Sequence, residues 1–301
     1  MVCRAQGPVL SEMTPAGGGA PQPRVHRAAV LGSPIAHSLS PALHRAAYAA
    51  LGLHDWTYTS QEVREAELAG FVAGLGPEWA GLSLTMPLKE AAFAVAGDVS
   101  PLARQVGAVN TLVRSDAGGW TAHNTDVDGM TRALQEGGAA AALGSSGHVL
   151  VLGSGATARS AVASLAALGA SAITFAVRSA ARPETVAQAR EAGLDVRECG
   201  LGEVPAVLPD VSLVVSTLPA GAAPGAVLGD AADLSGRVLL DVVYAGWPTP
   251  LARAFVQSGG AVVAGFEMLL HQAARQVELM TGQPAPVAAM RAAGLAAVGD
   301  P

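Results

Sequence analysis

The chain has 301 residues, enough for two domains with separate cores, and half of them are apolar while only 4% are aromatic. Its formal net charge of −6 argues against general nucleic-acid binding, and an anionic substrate would need donors supplied locally. There is no uninterrupted apolar run of about 18 residues, which argues against a membrane span. Two cysteines, Cys3 and Cys199, cannot build a disulfide framework and point to a reducing, cytoplasmic setting. Neither His-Glu-x-x-His nor Cys-x-x-Cys occurs, so no metal is expected.

Residues 1–24 are rich in Gly, Pro and Ala, lack the apolar centre of a signal peptide, and read as a disordered tail. A strand is predicted over 27–32, then a polar loop and a helix from Pro41 to about Leu51, with Ser40 placed to cap it and Gly52 to end it. A strand over 56–61 and a helix over 65–74 follow. Next come a strand over 81–85, a helix after Met86-Pro87-Leu88-Lys89, and an antiparallel pair at 109–114 and 119–123. A helix over 125–137 leaves this first α/β unit. The second unit alternates strands (149–152, 173–177, 211–216, 238–243, 261–264) with helices, which predicts a parallel, doubly wound sheet. From Gly265 to about Thr281 the pattern is helical.

The turn after the strand at 149–152 reads Gly153-Ser154-Gly155-Ala156-Thr157-Ala158 and opens an alanine-rich helix. This is the pattern of a dinucleotide-binding strand–turn–helix. Gly153 permits the tight turn, Gly155 lets backbone approach a pyrophosphate, and Ala158 allows close helix–strand packing. The helix N-terminus then faces the phosphates. The next strand ends in Val177-Arg178-Ser179-Ala180-Ala181-Arg182, with no acidic residue before Glu184. An acid there would hold the ribose hydroxyls of NAD, whereas Arg178, Ser179 and Arg182 suit the 2′-phosphate of NADP. Two surface arginines following a strand are ordinary by themselves; the glycine turn upstream is what favours NADP.

The first unit carries polar groups that core packing does not ask for. Ser38 and Ser40 sit at a strand-to-helix turn and offer two hydroxyls to an anion such as a carboxylate. Helix capping accounts for one serine but not both. Thr85 and Lys89 flank Pro87, and Asn110-Thr111 and Asn124-Thr125-Asp126 lie at other element ends. Individually, a lysine is usually a solvated charge and an Asn or Asp before a helix is usually a cap.

As a set, these segments resemble the shikimate dehydrogenase family. The resemblance runs from about residue 25 to 281 through Gly32-Ser-Pro-Ile-Ala-His-Ser-Leu-Ser-Pro41, Leu84-Thr-Met-Pro-Leu-Lys89, Gly107-Ala-Val-Asn-Thr111, Asn124-Thr-Asp126, Gly153-Ser-Gly-Ala156, Asp241-Val-Val-Tyr244 and Gly265-Phe-Glu-Met-Leu-Leu-His-Gln272. It implies a two-domain α/β fold: a substrate-binding catalytic domain over 25–125, a Rossmann-type NADP domain over 126–265, and 266–298 packing back on the first. It implies NADP-dependent interconversion of 3-dehydroshikimate and shikimate in aromatic amino-acid biosynthesis. Ser38 and Ser40 would bind the substrate carboxylate. Thr85, Asn110 and Gln272 would hold ring hydroxyls, Tyr244 would line the substrate side, and Lys89 with Asp126 would be the catalytic pair. Gly153, Ser154, Gly155, Ala156, Thr157, Arg178, Ser179, Arg182 and Gly265 would contact the cofactor. The chain departs from the family pattern at Ser83 (usually Asn), Val127 (usually Gly), Val177 (usually Asn) and Val242 (often Met). Two other readings stand beside this one: a quinate or aminoshikimate dehydrogenase of the same family, and a non-catalytic sensor of a shikimate-like metabolite and NADP. Monomer and homodimer are both compatible with the sequence.

Overall fold

In the computed structural model, residues 25–144, 147–222, 225–229 and 233–299 are described; the predicted tail at 1–24 lies outside them. The first unit is built around β1 (His26–Gly32), whose last five residues are buried. It is followed by α1 (Ser40–Ala50), β2 (Trp56–Glu62), α2 (Leu68–Ala73), β3 (Trp79–Leu84), α3 (Leu88–Ala91), β4 (Asp98–Val99), α4 (Pro101–Val106), β5 (Thr111–Arg114) and β6 (Trp120–His123). The sheet order is β2-β1-β3-β5-β6-β4. Strand β1 pairs in parallel with β2 and β3, whereas β5 is antiparallel to both β3 and β6. This pairing decides where the polar segments go. Ser83 opposes Thr111 and Thr111 opposes His123, so the exits of β1, β3 and β6 and the entry to β5 share one edge. The loops carrying Ser38, Thr85, Asn110 and Asp126 therefore converge.

Helix α5 (Asp126–Glu136) and α6 (Ala139–Leu143) lead into the second sheet. There β7 (His148–Leu152), α7 (Ala156–Ala167), β8 (Ala172–Val177), α8 (Pro183–Glu191), β9 (Asp195–Gly200), α9 (Val204–Val207), β10 (Leu213–Ser216), β11 (Val238–Asp241), α10 (Pro250–Gln257) and β12 (Ala261–Ala264) follow one another. The order is β12-β11-β10-β7-β8-β9 with every pair parallel, so the predicted doubly wound sheet is present. Its two faces show the strand period of two. Val149, Val151, Leu213 and Val215 point into the core beneath α5, α7 and α8, while Leu150, Leu152, Val214 and Leu239 point into the one beneath α9 and α10. The order reverses between β7 and β10, where a doubly wound sheet opens its crevice.

Helix α11 (Gly265–Thr281) then crosses back. It packs on α5 and α1, and α12 (Val287–Gly299) covers α1. Leu43 and Ala47 of α1, Phe266, Leu270 and Val277 of α11, and Met290 of α12 form that shared core. Among the described residues no helix is long and apolar enough to cross a membrane.

Two predictions need correction, and three elements were not predicted. Ser40 does not cap α1: it is the first helical residue, its backbone N–H donates to Ser38 Oγ at 3.3 Å, and no side chain caps the helix. The helix predicted over 65–74 is a 3₁₀ turn at Glu65–Glu67 followed by a shorter α2. Strands β4 and β9 carry too few alternating apolar residues for pattern reading to find, and neighbouring strands impose their conformation. Helix α4 is written in its ends instead: Ser100 Oγ accepts from Ala103 N–H, Pro101 opens the helix and Gly107 closes it at φ +66°.

Candidate active site

A cleft of about 310 Å³ opens where the first sheet's convergent loops meet α11 and the start of α7. Ser38 and Ser40 reach it from the turn after β1. Thr85 and Lys89 reach it from the turn after β3, Asn110 from the entry to β5, and Asp126 from the first residue of α5. Thr157 belongs to the glycine turn, Tyr244 follows β11, and Gly265 and Gln272 lie on α11. Ten of the predicted residues thus line one cavity, although they span more than 230 positions of sequence.

At its centre Lys89 Nζ donates to Asp126 Oδ2 at 2.6 Å, with side chains 14% and 6% exposed. So shielded a pair is held by its surroundings as much as by its own attraction. Asn110 Nδ2 donates to the other carboxylate oxygen at 2.8 Å, and the N-terminal end of α5 favours a negative charge. Lys89 Nζ also lies 3.4 Å from Thr157 Oγ1, so the lysine touches the glycine turn of the second sheet. Asn124 plays the plainer part of a cap: its Oδ1 accepts from Val127 N–H at 3.2 Å, and its amide donates to Ala108 O and Ser160 Oγ.

Beside the serine pair, Tyr244 lies within hydrogen-bonding reach of Ser38; burial pushes its phenol above the usual range, against that bond. Gly265 has a steric reason to be glycine. A Cβ there would stand 2.4 Å from the carbonyl carbon and oxygen of Val242 and 2.7 Å from Asp241 O. Helix α11 therefore starts hard against the end of β11, and the backbone at Gly265 forms part of the cleft wall.

The dinucleotide turn meets the requirements of its motif. Gly153 has φ +98°, and a Cβ would meet Thr217 Oγ1 at 2.9 Å. At Gly155, the N-cap of α7, a Cβ would have open space before it, and no side chain caps the helix. The first-turn N–H groups, including those of Ala156 and Thr157, thus face a place where phosphate oxygens fit. Ser154 is held from behind by Arg182 N–H to its Oγ (3.1 Å) and by Thr185 Oγ1 to its carbonyl (2.8 Å). Arg178 and Ser179 are exposed at the end of β8. The Arg182 guanidinium lies 3.3 Å from Glu90 and 3.9 Å from Glu184.

The chain matches the family model for the shikimate dehydrogenase substrate binding domain over residues 30–112 and the model for the shikimate 5′-dehydrogenase C-terminal domain over 265–293. It is 36% identical over 286 residues to the shikimate dehydrogenase (NADP(+)) of Synechococcus sp. (strain JA-3-3Ab), covering 90% of this chain and 95% of that one. The chain belongs to the shikimate dehydrogenase family. Among solved structures, it is similar to the shikimate dehydrogenase of Mycobacterium tuberculosis (46% identity, TM-score 0.76, 90% of this chain and 99% of that one). It is also similar to the Thermus thermophilus enzyme in complex with NADP(H) and shikimate (31% identity, TM-score 0.75, 90% and 99%).

Two residues escaped sequence reasoning. Arg159, on the apolar face of α7, is 3% exposed and donates from Nε to Val106 O (2.9 Å) and from a terminal nitrogen to Gly107 O (2.9 Å) and Glu90 (2.6 Å). A lone arginine on an otherwise small, apolar helix face was the available signal. Gln276 is 1% exposed and lines the cleft one helical turn beyond Gln272; its spacing alone was a signal. Glu136, Glu267 and His271 also come together, but Arg291 pairs with both carboxylates. That cluster ties α5, α11 and α12 together.

Proposed function

We infer that this chain catalyses the NADP-dependent interconversion of 3-dehydroshikimate and shikimate, as an oxidoreductase acting on a CH–OH group. The observation that carries the reading is the shielded Lys89–Asp126 pair. It faces a cleft that has two serine hydroxyls at one side and the glycine turn of a dinucleotide fold at the other. A division into a substrate domain (25–125, with 266–298 returning to it) and an NADP domain (126–265) is supported by the two separate sheets.

Ser38 and Ser40 bind the substrate carboxylate, compensating locally for the chain's net negative charge. Thr85, Asn110 and Gln272 orient the ring hydroxyls, and Tyr244 closes that side. When bound, the nicotinamide supplies the hydride that reduces the carbonyl carbon. As charge develops on the carbonyl oxygen, Lys89 Nζ donates the proton that completes the hydroxyl; in the oxidative direction it takes that proton back. Asp126 holds the ammonium in line and Asn110 holds Asp126. Backbone N–H groups at Gly155, Ala156 and Thr157 would hold the pyrophosphate, with Gly153 and Ser154 shaping the turn. Arg178, Ser179 and Arg182 would hold the 2′-phosphate, and Gly265 would let the backbone approach the nicotinamide. The setting is cytoplasmic, in keeping with the free thiol of Cys199.

The test is oxidation of shikimate by the purified protein with NADP, with quinate and NAD as paired controls. Turnover with shikimate and NADP well above the controls is expected. A preference for quinate or NAD would replace the substrate or cofactor assignment. Saturable binding without turnover would make the chain a sensor.

A further inference from the structure

A continuous line of buried polar groups runs along the floor of the cleft, through β2, β3, α11 and β5. Tyr58 of β2 donates to Ser83 Oγ at 2.6 Å, and Ser83 of β3 donates to Gln276 Oε1 at 2.8 Å. Gln276 of α11 donates from Nε2 to Thr111 Oγ1 at 3.0 Å, and Thr111 of β5 donates to Asn110 Oδ1 at 2.8 Å. Asn110 then donates to Asp126, which holds Lys89. Tyr58, Ser83, Gln276, Thr111 and Asn110 are each no more than 3% exposed. Burial pushes the Tyr58 phenol far above its usual range, against its contacts with Ser83 and Ser40, so it remains a donor.

The directions of these bonds depend on one another. A hydroxyl has one hydrogen to give. Ser83 accepts from Tyr58 and gives its hydrogen to the Gln276 carbonyl. The Gln276 amide nitrogen therefore faces Thr111, whose own hydrogen is left to point at Asn110 Oδ1. Were the Gln276 amide turned over, Thr111 would face a carbonyl, give its hydrogen to it and withdraw it from Asn110. Thr125 N–H also donates to Asn110 Oδ1, at 2.8 Å, so the two donors together commit the Asn110 carbonyl to that side and its NH₂ to Asp126. In a buried network a lost donor costs more than in water.

We propose that Gln276 is a positioning residue: held by Tyr58 and Ser83 on one side and Thr111 on the other, it fixes the orientation of Asn110 and hence the geometry of the Asp126–Lys89 pair. This rests on the functional reading above and extends it to the residues that support the Asn110 amide. It also gives Ser83, a departure from the family's usual Asn, a definite role, since its hydroxyl accepts from Tyr58 and donates to Gln276 in one direction.

The deciding experiment compares Thr111→Val, which keeps shape and loses the hydroxyl, with Thr111→Ser, which does the opposite, alongside Gln276→Met. Wild-type oxidation of shikimate with NADP is measured first; its absence overturns the functional reading and this proposal with it. Given wild-type turnover, Thr111→Val and Gln276→Met should each lower kcat about tenfold with KM for NADP unchanged, as for loss of a positioning contact. KM for shikimate should change less than kcat, because what is lost is the aim of the proton donor and not a direct substrate contact. Thr111→Ser should recover kcat to within about threefold of wild type. The reverse order, with Val active and Ser impaired, would make this a packing site and overturn the proposal alone. If thermal melting shows that a variant does not fold, Tyr58→Phe decides. Removing that single hydroxyl should lower kcat by a smaller factor with KM for NADP unchanged, and an unchanged kcat would overturn the relay.

Discussion

Lys89 owes its usefulness to where its chain stops being exposed. It lies on the short α3 after the β3 exit, close enough to Asp126 for a 2.6 Å contact yet still lining the cleft. Lys89→Ala should lower kcat by about 10²–10⁴ with a smaller effect on KM, the signature of a lost general acid; steady-state kinetics in both directions would show it, and an unchanged kcat would remove Lys89 from that role. At the cofactor end, Arg178→Ala should weaken NADP by roughly ten- to hundredfold while leaving NAD little changed, because only NADP carries the 2′-phosphate. Equal losses in binding titrations would argue against that contact.

His44 illustrates a different residue-scale effect. It is fully buried, stacks on Tyr58 at 3.9 Å, and its Nδ1 lies 2.9 Å from Ser40 O. Burial lowers its pKa from 6.5 to about 4. The folded value lies below the unfolded one, so between them the unfolded chain binds the extra proton. The contribution is full above about pH 6.5 and is lost as pH falls toward 4, up to roughly 3 kcal/mol. Urea denaturation at pH 7 and at pH 4.5 measures it. His44→Phe, which keeps a ring in the stack, should flatten this part of the dependence; an equally steep acid loss would place its origin elsewhere.

Among the elements, the crossing of α5 and α11 matters most, since it sets Asp126 and Gln272 opposite each other. It is close because Gly129 has no side chain: a Cβ there would stand 2.6 Å from Met268 O and 2.8 Å from Gln272 Cβ. Gly129→Ala must push the helices apart. A loss of about 1–3 kcal/mol is expected from overpacking. The KM for shikimate should rise as Gln272 retreats from the cleft, whereas the affinity for NADP should change less. A stable variant with unchanged KM would mean that the contact can relax without moving Gln272.

For the whole molecule, Arg159 is the clearest tie between the two sheets. From α7 in the second, it satisfies the carbonyls of Val106, the last residue of α4, and of Gly107 just beyond it, and it pairs with Glu90 next to Lys89. Arg159→Met would leave two backbone carbonyls without that donor and should cost about 3 kcal/mol, read as a drop in melting temperature. Arg159→Lys should restore little, because an ammonium cannot reproduce the planar fork. Glu90→Gln should cost much less, since the Glu90 side chain is 52% exposed. Equal effects of Arg159→Met and Glu90→Gln would shift the weight from the backbone carbonyls to the ion pair.

The second sheet and most of the site's membership are legible along the chain. The long buried strands, the Gly153–Ala158 turn, and the arginines in place of an acid after β8 are local signals, because each reflects chemistry within a few residues of backbone. The serine pair, Lys89, Asp126 and Gln272 were recognisable as a motif set, and the structure brings all of them to one cleft. How they meet depends on contacts made only in the fold. Ser40 looked like a cap until the helix start placed its backbone inside α1. Arg159, Gln276 and the Tyr58–Ser83–Thr111 line left only faint traces, such as a charge on an apolar face or a second Gln one helical turn on. Their partners lie far away in sequence: Ser83 and Gln276 are separated by 193 positions and Arg159 and Val106 by 53. Hydrophobic periodicity and turn chemistry act locally and are written along the chain. The direction of a buried hydrogen bond depends on every group it touches, and those groups are neighbours only after folding.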